Sequence, residues 1–266
     1  MKTKLLGCIV LALVSGISQA KGRLDIGVGL GYTQIPHYIG AAQKHQYLIP
    51  YPYVYYKSDK IEFNRNALNA SLWQHENWLV DWSASGNLAL DSDDNQLRKG
   101  MDDLAWVLEF GPALRYFWLG DNESDNSFSA ILAIRHGIGF DKLDLEHVGF
   151  LLEPGLRYQA HYQLSNWQLK LTASWQLVYA DQNYNSYYYS VGADQVTENR
   201  SFYQADSGLN SQRLSLGLTA SQGDWWYGAF LRYNDLTASS VKDSPLVAKK
   251  RDWMLGMAIT RIFKVF

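Results

Sequence analysis

The stretch LLEPGLRYQAHYQLSNWQLKLTASWQLVYA, Leu151 to Ala180, decides the fold. From Leu152 to Leu164 every second residue is apolar or proline: Leu152, Pro154, Leu156, Tyr158, Ala160, Tyr162, Leu164. The residues between them are mostly charged or amide: Glu153, Arg157, Gln159, His161, Gln163. After Ser165-Asn166 the alternation restarts, with Trp167, Leu169, Leu171, Ala173, Trp175, Leu177 and Tyr179 set against Gln168, Lys170, Thr172, Ser174 and Gln176. Period-2 alternation marks a strand with two chemically different faces, and two such runs joined by a polar dipeptide form a hairpin. Trp167 to Tyr179 spans roughly 40 Å at about 3.3 Å per residue. Tilted by about 40°, such a strand rises about 30 Å, enough to cross an apolar band about 25 Å tall. Strands of soluble domains are mostly about 5–6 residues long.

The same alternation recurs along the chain, and helical periodicity is nearly absent. Leu24 to Tyr32, Tyr47 to Lys57, a weaker stretch Ile61 to Trp73, Trp78 to Leu90, Trp106 to Trp118, Phe128 to Phe140, Leu214 to Ala220, Trp225 to Tyr233 and Trp253 to Phe266 all read as strands. With the opening pair that makes eleven. A membrane barrel of this kind has an even number, so we expect twelve strands, with ten as the alternative, the discrepancy lying between Thr33 and Trp73. Pro50 and Pro52 require a bulge, a sheet edge or a strand end. From Trp78 onward the connections alternate between short turns (120–126, 165–166, 223–224) and longer loops (91–103, 141–148, 181–206, 237–250).

The N-terminal segment MKTKLLGCIVLALVSGISQA has a basic start, an apolar stretch from Leu5 to Ile17 and a small-x-small end at Ala20. It reads as a cleaved secretory signal over residues 1–20, followed by one domain over 21–266. Beyond it there is no run of 18 apolar residues, and the one cysteine, Cys8, leaves with the signal. The rest of the chain carries 22 basic and 26 acidic side chains, a balance that gives no reason to expect nucleic acid.

A soluble β-sandwich would turn its oily faces inward. A transmembrane antiparallel up-and-down barrel inverts this, with lipid outside and a polar lumen inside. Strand length favours inversion, as do aromatics at strand ends (Trp106 and Trp118, Trp167 and Tyr179, Trp225 and Tyr233), which form girdles at both water boundaries. An all-β transmembrane barrel is therefore expected, with Glu109, Arg115, Arg135, Glu153, Arg157, His161, Lys170, Arg213 and Arg232 lining the lumen. Lys264 falls on the row of Ile262 and Phe266, where it would snorkel from a lipid-facing position. With the short turns in the periplasm, Lys249, Lys250 and Arg251 re-enter the membrane from the outer side, where lipopolysaccharide head groups would attract them.

Several stretches resemble the MipA/OmpV family: GLGYTQIPHYIGA (29–41), YLIPYPYVYYK (47–57), GMDDLAWVLEFGPAL (100–114), NYNSYYYSVGADQV (183–196), FYQADSGLN (202–210) and DSPLV (243–247). They spread over nearly the whole exported chain. The resemblance implies an outer-membrane barrel. For one branch it implies a scaffold linking a murein-degrading transglycosylase to a murein synthase, and for others an osmoregulated or adhesion-related protein. It brings no catalytic residues.

The residues themselves leave the lumen set open between structural filling and a path for small solutes. His136, His147 and His161 are available as bases, but no G-x-S-x-G occurs and no spacing is distinctive, so an enzyme is not expected. GVGLG (27–31) lacks dinucleotide-loop spacing, and no cofactor is expected. The acidic loop 91–103 lacks EF-hand spacing and reads as solvated rather than metal-binding. The tyrosines of NYNSYYYS (183–190) suit either glycan or protein contact, or packing over the barrel mouth.

Overall fold

The computed structural model of the protein describes residues 22–58, 62–64, 67–69, 72–141 and 144–264. The signal segment 1–20 and Phe266 lie outside the described residues. The strands are β1 (Gly22–Pro36), β2 (Lys44–Ser58), β3 (Glu62–Asn64), β4 (Ala67–Asn69), β5 (Trp73–His75), β6 (Trp78–Asn87), β7 (Trp106–Leu119), β8 (Asn126–Asp141), β9 (Asp144–Leu164), β10 (Trp167–Ala180), β11 (Gly208–Gln222), β12 (Trp225–Asp235) and β13 (Arg251–Lys264), with one helix, α1 (Gln182–Tyr189).

All strands join one antiparallel sheet in the order β4-β3-β2-β1-β13-β12-β11-β10-β9-β8-β7-β6-β5. First and last strands meet at β1 and β13, paired from Asp25 opposite Lys264 to Gln34 opposite Leu255. The two ends of the ladder, β4 and β5, are consecutive in the chain, so the ring closes through the polypeptide itself. Counting β4 and β5 as one interrupted strand leaves twelve among the described residues. The stretch Ile61 to Trp73, read above as one weak strand, is instead the small hairpin β3–β4 followed by β5. That is where the odd count arose.

The surface is inverted relative to a soluble protein. Val28 is 71% exposed and Met257 58%, while Glu153 is 0% exposed. Leu132 and Ile134 on β8, Leu152 and Leu156 on β9 and Leu214, Leu216 and Leu218 on β11 all face outward. Asp81, Glu109, Arg135, Asn210, Asn234 and Asp252 are buried on the inward rows. Burying charge while exposing leucine is unfavourable in water and favourable when the outer medium is hydrocarbon. The fold is a transmembrane β-barrel. Aromatic pairs bracket the oily belt: Trp78 with Tyr116 and Trp167 with Tyr227 at the short-turn end, Tyr233 with Trp253 at the loop end.

One expectation is corrected. The 141–148 segment is mostly strand: β8 and β9 continue past the belt as a protruding hairpin that pairs Asp141 with Asp144. On β13 the outward row is Trp253, Met257, Ile259 and Phe263. Thr260 is buried on the other row, and position 264 pairs with Asp25 in the register. The side chain of Lys264 lies outside the described residues.

The inward rows explain the glycines and tyrosines of β1 and β2. Gly29 lies against β13 so closely that a Cβ there would fall 2.0 Å from the Ile259 carbonyl oxygen. Its register partner is Tyr51, whose ring also reaches Gly31. Pro50 and Pro52 sit on a stretch of β2 whose one strand neighbour among the described residues is β1, as the missing amide hydrogens require.

Candidate functional site in the barrel lumen

At mid-height the lumen holds a polar network that the alternation delivers from seven strands, β6 to β12. Glu153 on β9 accepts from the Arg135 guanidinium on β8, from Gln176 Nε2 on β10 (3.2 Å) and from Arg213 Nη1 on β11 (3.4 Å). Arg135 also donates to Glu109 on β7 (3.1 Å). Asn87 on β6 donates to the other Glu109 oxygen (3.0 Å). Arg232 donates through Nε to Ser215 Oγ (3.2 Å). Nearer the short-turn end, Arg115 pairs with Asp81 at 2.8 Å. A carboxylate between two guanidiniums offsets desolvation that an isolated charge could not bear.

The loop end holds the one sizeable apolar cluster among the described residues. Tyr38, Ala41, Leu90, Leu104, Tyr189, Val191, Leu236, Val241 and Leu246 meet there from the loops and helix, resting on strand residues such as Val107, Leu151 and Val178. Arg98 reaches the Tyr188 carbonyl (3.3 Å) and Arg200 the Leu97 carbonyl (2.8 Å), tying the 88–105 and 181–207 connections together. Tyr38 donates to the Leu246 carbonyl at 2.7 Å, and burial pushes its hydroxyl pKa up to about 12. In the acidic loop, Asp91, Asp93 and Asp103 accept backbone amide protons.

Helix α1 is the part of this cap that enters the barrel. Asp181 caps it by accepting from the Tyr184 amide (2.9 Å). Tyr184 then donates its hydroxyl to Glu109 at 2.7 Å, and Tyr188 lies 3.1 Å from Asn87 Nδ2. Burial, then the Glu109 carboxylate, hold both hydroxyls well above the usual tyrosine range, so both stay protonated. Of the two readings left open for NYNSYYYS, the rings pack over the mouth: Tyr184, Tyr188 and Tyr189 are buried.

The position of α1 depends on Gly149, at φ 140° beside the β8–β9 register shift. A Cβ there would lie 2.4 Å from Asp181 Oδ1 and 2.5 Å from the Tyr184 amide nitrogen. Gly149→Ala is expected to displace the cap and destabilise the α1 segment by about 1–3 kcal/mol. Faster hydrogen exchange at the Asn185 amide than in the parent protein would register this. Unchanged exchange would show that the segment does not depend on Gly149.

All nine candidates fall on inward rows, though not in one place. Glu109, Arg135, Glu153, Arg213 and Arg232 gather at mid-height. Arg115 joins Asp81, and Arg157 and Lys170 border an open chamber below. His161 stands at the short-turn mouth, and His136 and His147 pair with each other at 2.7 Å on the outward face. Lys249, Lys250 and Arg251 are exposed at the loop end; Lys250 faces Asp243 and Arg251 faces Asp235, each at 3.4 Å. The candidate set omitted Asp81, Asn87, Gln176 and Tyr184. Alternation alone would have placed Asp81 inside; nothing local in the sequence announces that Tyr184 returns to Glu109.

The family model described as MltA-interacting protein MipA matches residues 28–263. The MltA-interacting proteins of Escherichia coli (strain K12) and Shigella flexneri are each 26% identical to this chain, over 98% of it and 99% of their own lengths. The crystal structure of Neisserial surface protein A covers 90% of this chain and 97% of its own at 10% identity, with a TM-score of 0.26.

Proposed function

The chain belongs to the MltA-interacting protein family, and from that premise we propose that it is a non-enzymatic outer-membrane scaffold, joining a murein-degrading transglycosylase to a murein synthase. The observation that carries this reading is the closed loop end: a barrel whose outer half is filled by α1 and a paired charge network is built as a platform. The same closure weighs against a passive channel for small solutes.

In this reading the short turns face the periplasm and present the docking surface, with the turn 120–125 contributing Glu123 and Asp125. Lys249, Lys250 and Arg251 then stand at the outer boundary, where anionic lipopolysaccharide would complement the charge their carboxylate neighbours leave over. Crosslinked envelopes test the proposal. The tagged barrel is expected to co-purify a murein transglycosylase, and charge reversal at Glu123 and Asp125 to diminish the yield. In planar bilayers it is expected to stay silent at all voltages. Recovery of no murein enzyme, together with steady conductance, would replace the scaffold by a pore.

A further inference from the structure

Below the charge network the lumen opens into a chamber of about 480 Å³, within the range of about 300–1,000 Å³ usual for small-molecule sites. Its walls are largely apolar: Ile49, Tyr51, Trp226 and Phe230 contribute side chains. The chamber is kept open by a specific arrangement. A Cβ at Gly256 would meet the Phe230 ring at 2.3 Å, and one at Gly228 the Trp226 ring at 2.2 Å. Both rings therefore lie flat over bare glycine backbone instead of crossing the lumen.

Arg157 borders this chamber, and among the described residues its guanidinium has no hydrogen bond or ion pair. The nearby carboxylates pair with other arginines, Asp81 through Oδ2 with Arg115 and Glu153 with Arg135 and Arg213; Asp81 also attracts Arg157 electrostatically but makes no ion pair with it. Lys170 adds a second cation at the neck, where the chamber meets a more polar space of about 460 Å³ at the short-turn end. That outer space is bordered by Glu123, Asp125 and His161. Its carboxylates oppose entry of multiply charged anions such as phosphates.

We propose that this chamber is a binding site for a small amphiphilic monocarboxylate, entering from the short-turn end. The carboxylate pairs with Arg157 and the apolar body lies between Tyr51, Trp226 and Phe230. A guanidinium is the side chain best shaped for a bidentate carboxylate contact. The body can be aliphatic or aryl; both present the same chemistry to these walls.

Calorimetric titration of the full-length barrel in an uncharged detergent tests this, with empty micelles as the blank. The probes are 2-naphthoate, octanoate and the neutral 2-naphthamide. Saturable one-site binding of at least one carboxylate is expected, and which one binds separates an aryl from an aliphatic ligand. The amide is expected to bind about tenfold more weakly or worse. Arg157→Gln is expected to weaken the carboxylate about 10–100-fold, and Arg157→Lys to retain part of the affinity. Gly217→Phe fills the chamber without backbone conflict, since the nearest atom to a Cβ there lies 4.0 Å away; it is expected to abolish binding. Heat-modifiable gel migration checks that each variant is folded. Carboxylate heats indistinguishable from empty micelles, or equal binding of acid and amide that Arg157→Gln leaves unchanged, would overturn the site. Either result leaves the scaffold reading standing, because co-purification of a murein enzyme does not depend on the chamber.

Discussion

Glu153→Ala is expected to lower the stability of the folded barrel by about 3–5 kcal/mol, the loss typical of breaking a buried ion pair by removing one partner. Glu153 is 0% exposed and accepts from Arg135, Arg213 and Gln176. Among the described residues, alanine leaves Arg213 buried without its carboxylate partner and Arg135 paired with Glu109 alone. The expense lies in the stranded guanidiniums more than in the lost contacts. The double variant Glu153→Ala/Arg213→Ala should therefore recover part of the loss, and Glu153→Gln should be milder than Glu153→Ala. Reversible urea unfolding in lipid vesicles measures all three. Equal stability of Glu153→Ala and the parent would mean that water reaches the network and hydrates the guanidiniums.

Leu216→Arg is expected to cost about 2–4 kcal/mol in a bilayer, the price of a cation on the lipid face near the midplane. Leu216 lies near the middle of β11, is 44% exposed and faces outward between Ala173 on β10 and Leu231 on β12. On a soluble protein the same change at so exposed a leucine would fall within about ±0.5 kcal/mol. One substitution thus reports which solvent surrounds the barrel. Vesicles of increasing acyl-chain length should enlarge the penalty, because the arginine then has farther to snorkel. A loss below about 0.5 kcal/mol in every lipid would contradict the inverted arrangement.

How much of this could be read from the sequence varied with the kind of information each feature needs. Strand alternation is local, so Glu153 opposite Leu152, or Arg213 beside Leu214, could be assigned a face directly. The weak stretch Ile61 to Trp73 failed because segments of three residues, such as β3 and β4, are too short to show a period. The inward aromatics were legible but passed over. Trp226 and Phe230 share the parity of Arg232, and their tolerance inside the lumen comes from Gly228 and Gly256 on adjacent wall positions. The partner of Glu109 was not legible. Tyr184 lies 75 positions away and arrives through a loop whose path is set by Asp181, Gly149 and the apolar cluster of four connections.

In the scaffold reading proposed above, the apolar cluster of the loops stoppers the outer mouth, and molecules on the two sides of the membrane are expected not to exchange through this barrel. A cell can then carry many copies without raising the leakiness of its envelope, a freedom denied to an open porin, whose abundance is itself a trade between nutrition and exposure to toxins. Anything admitted at the inner mouth must leave by the door it entered, so its occupancy follows concentration on that side alone.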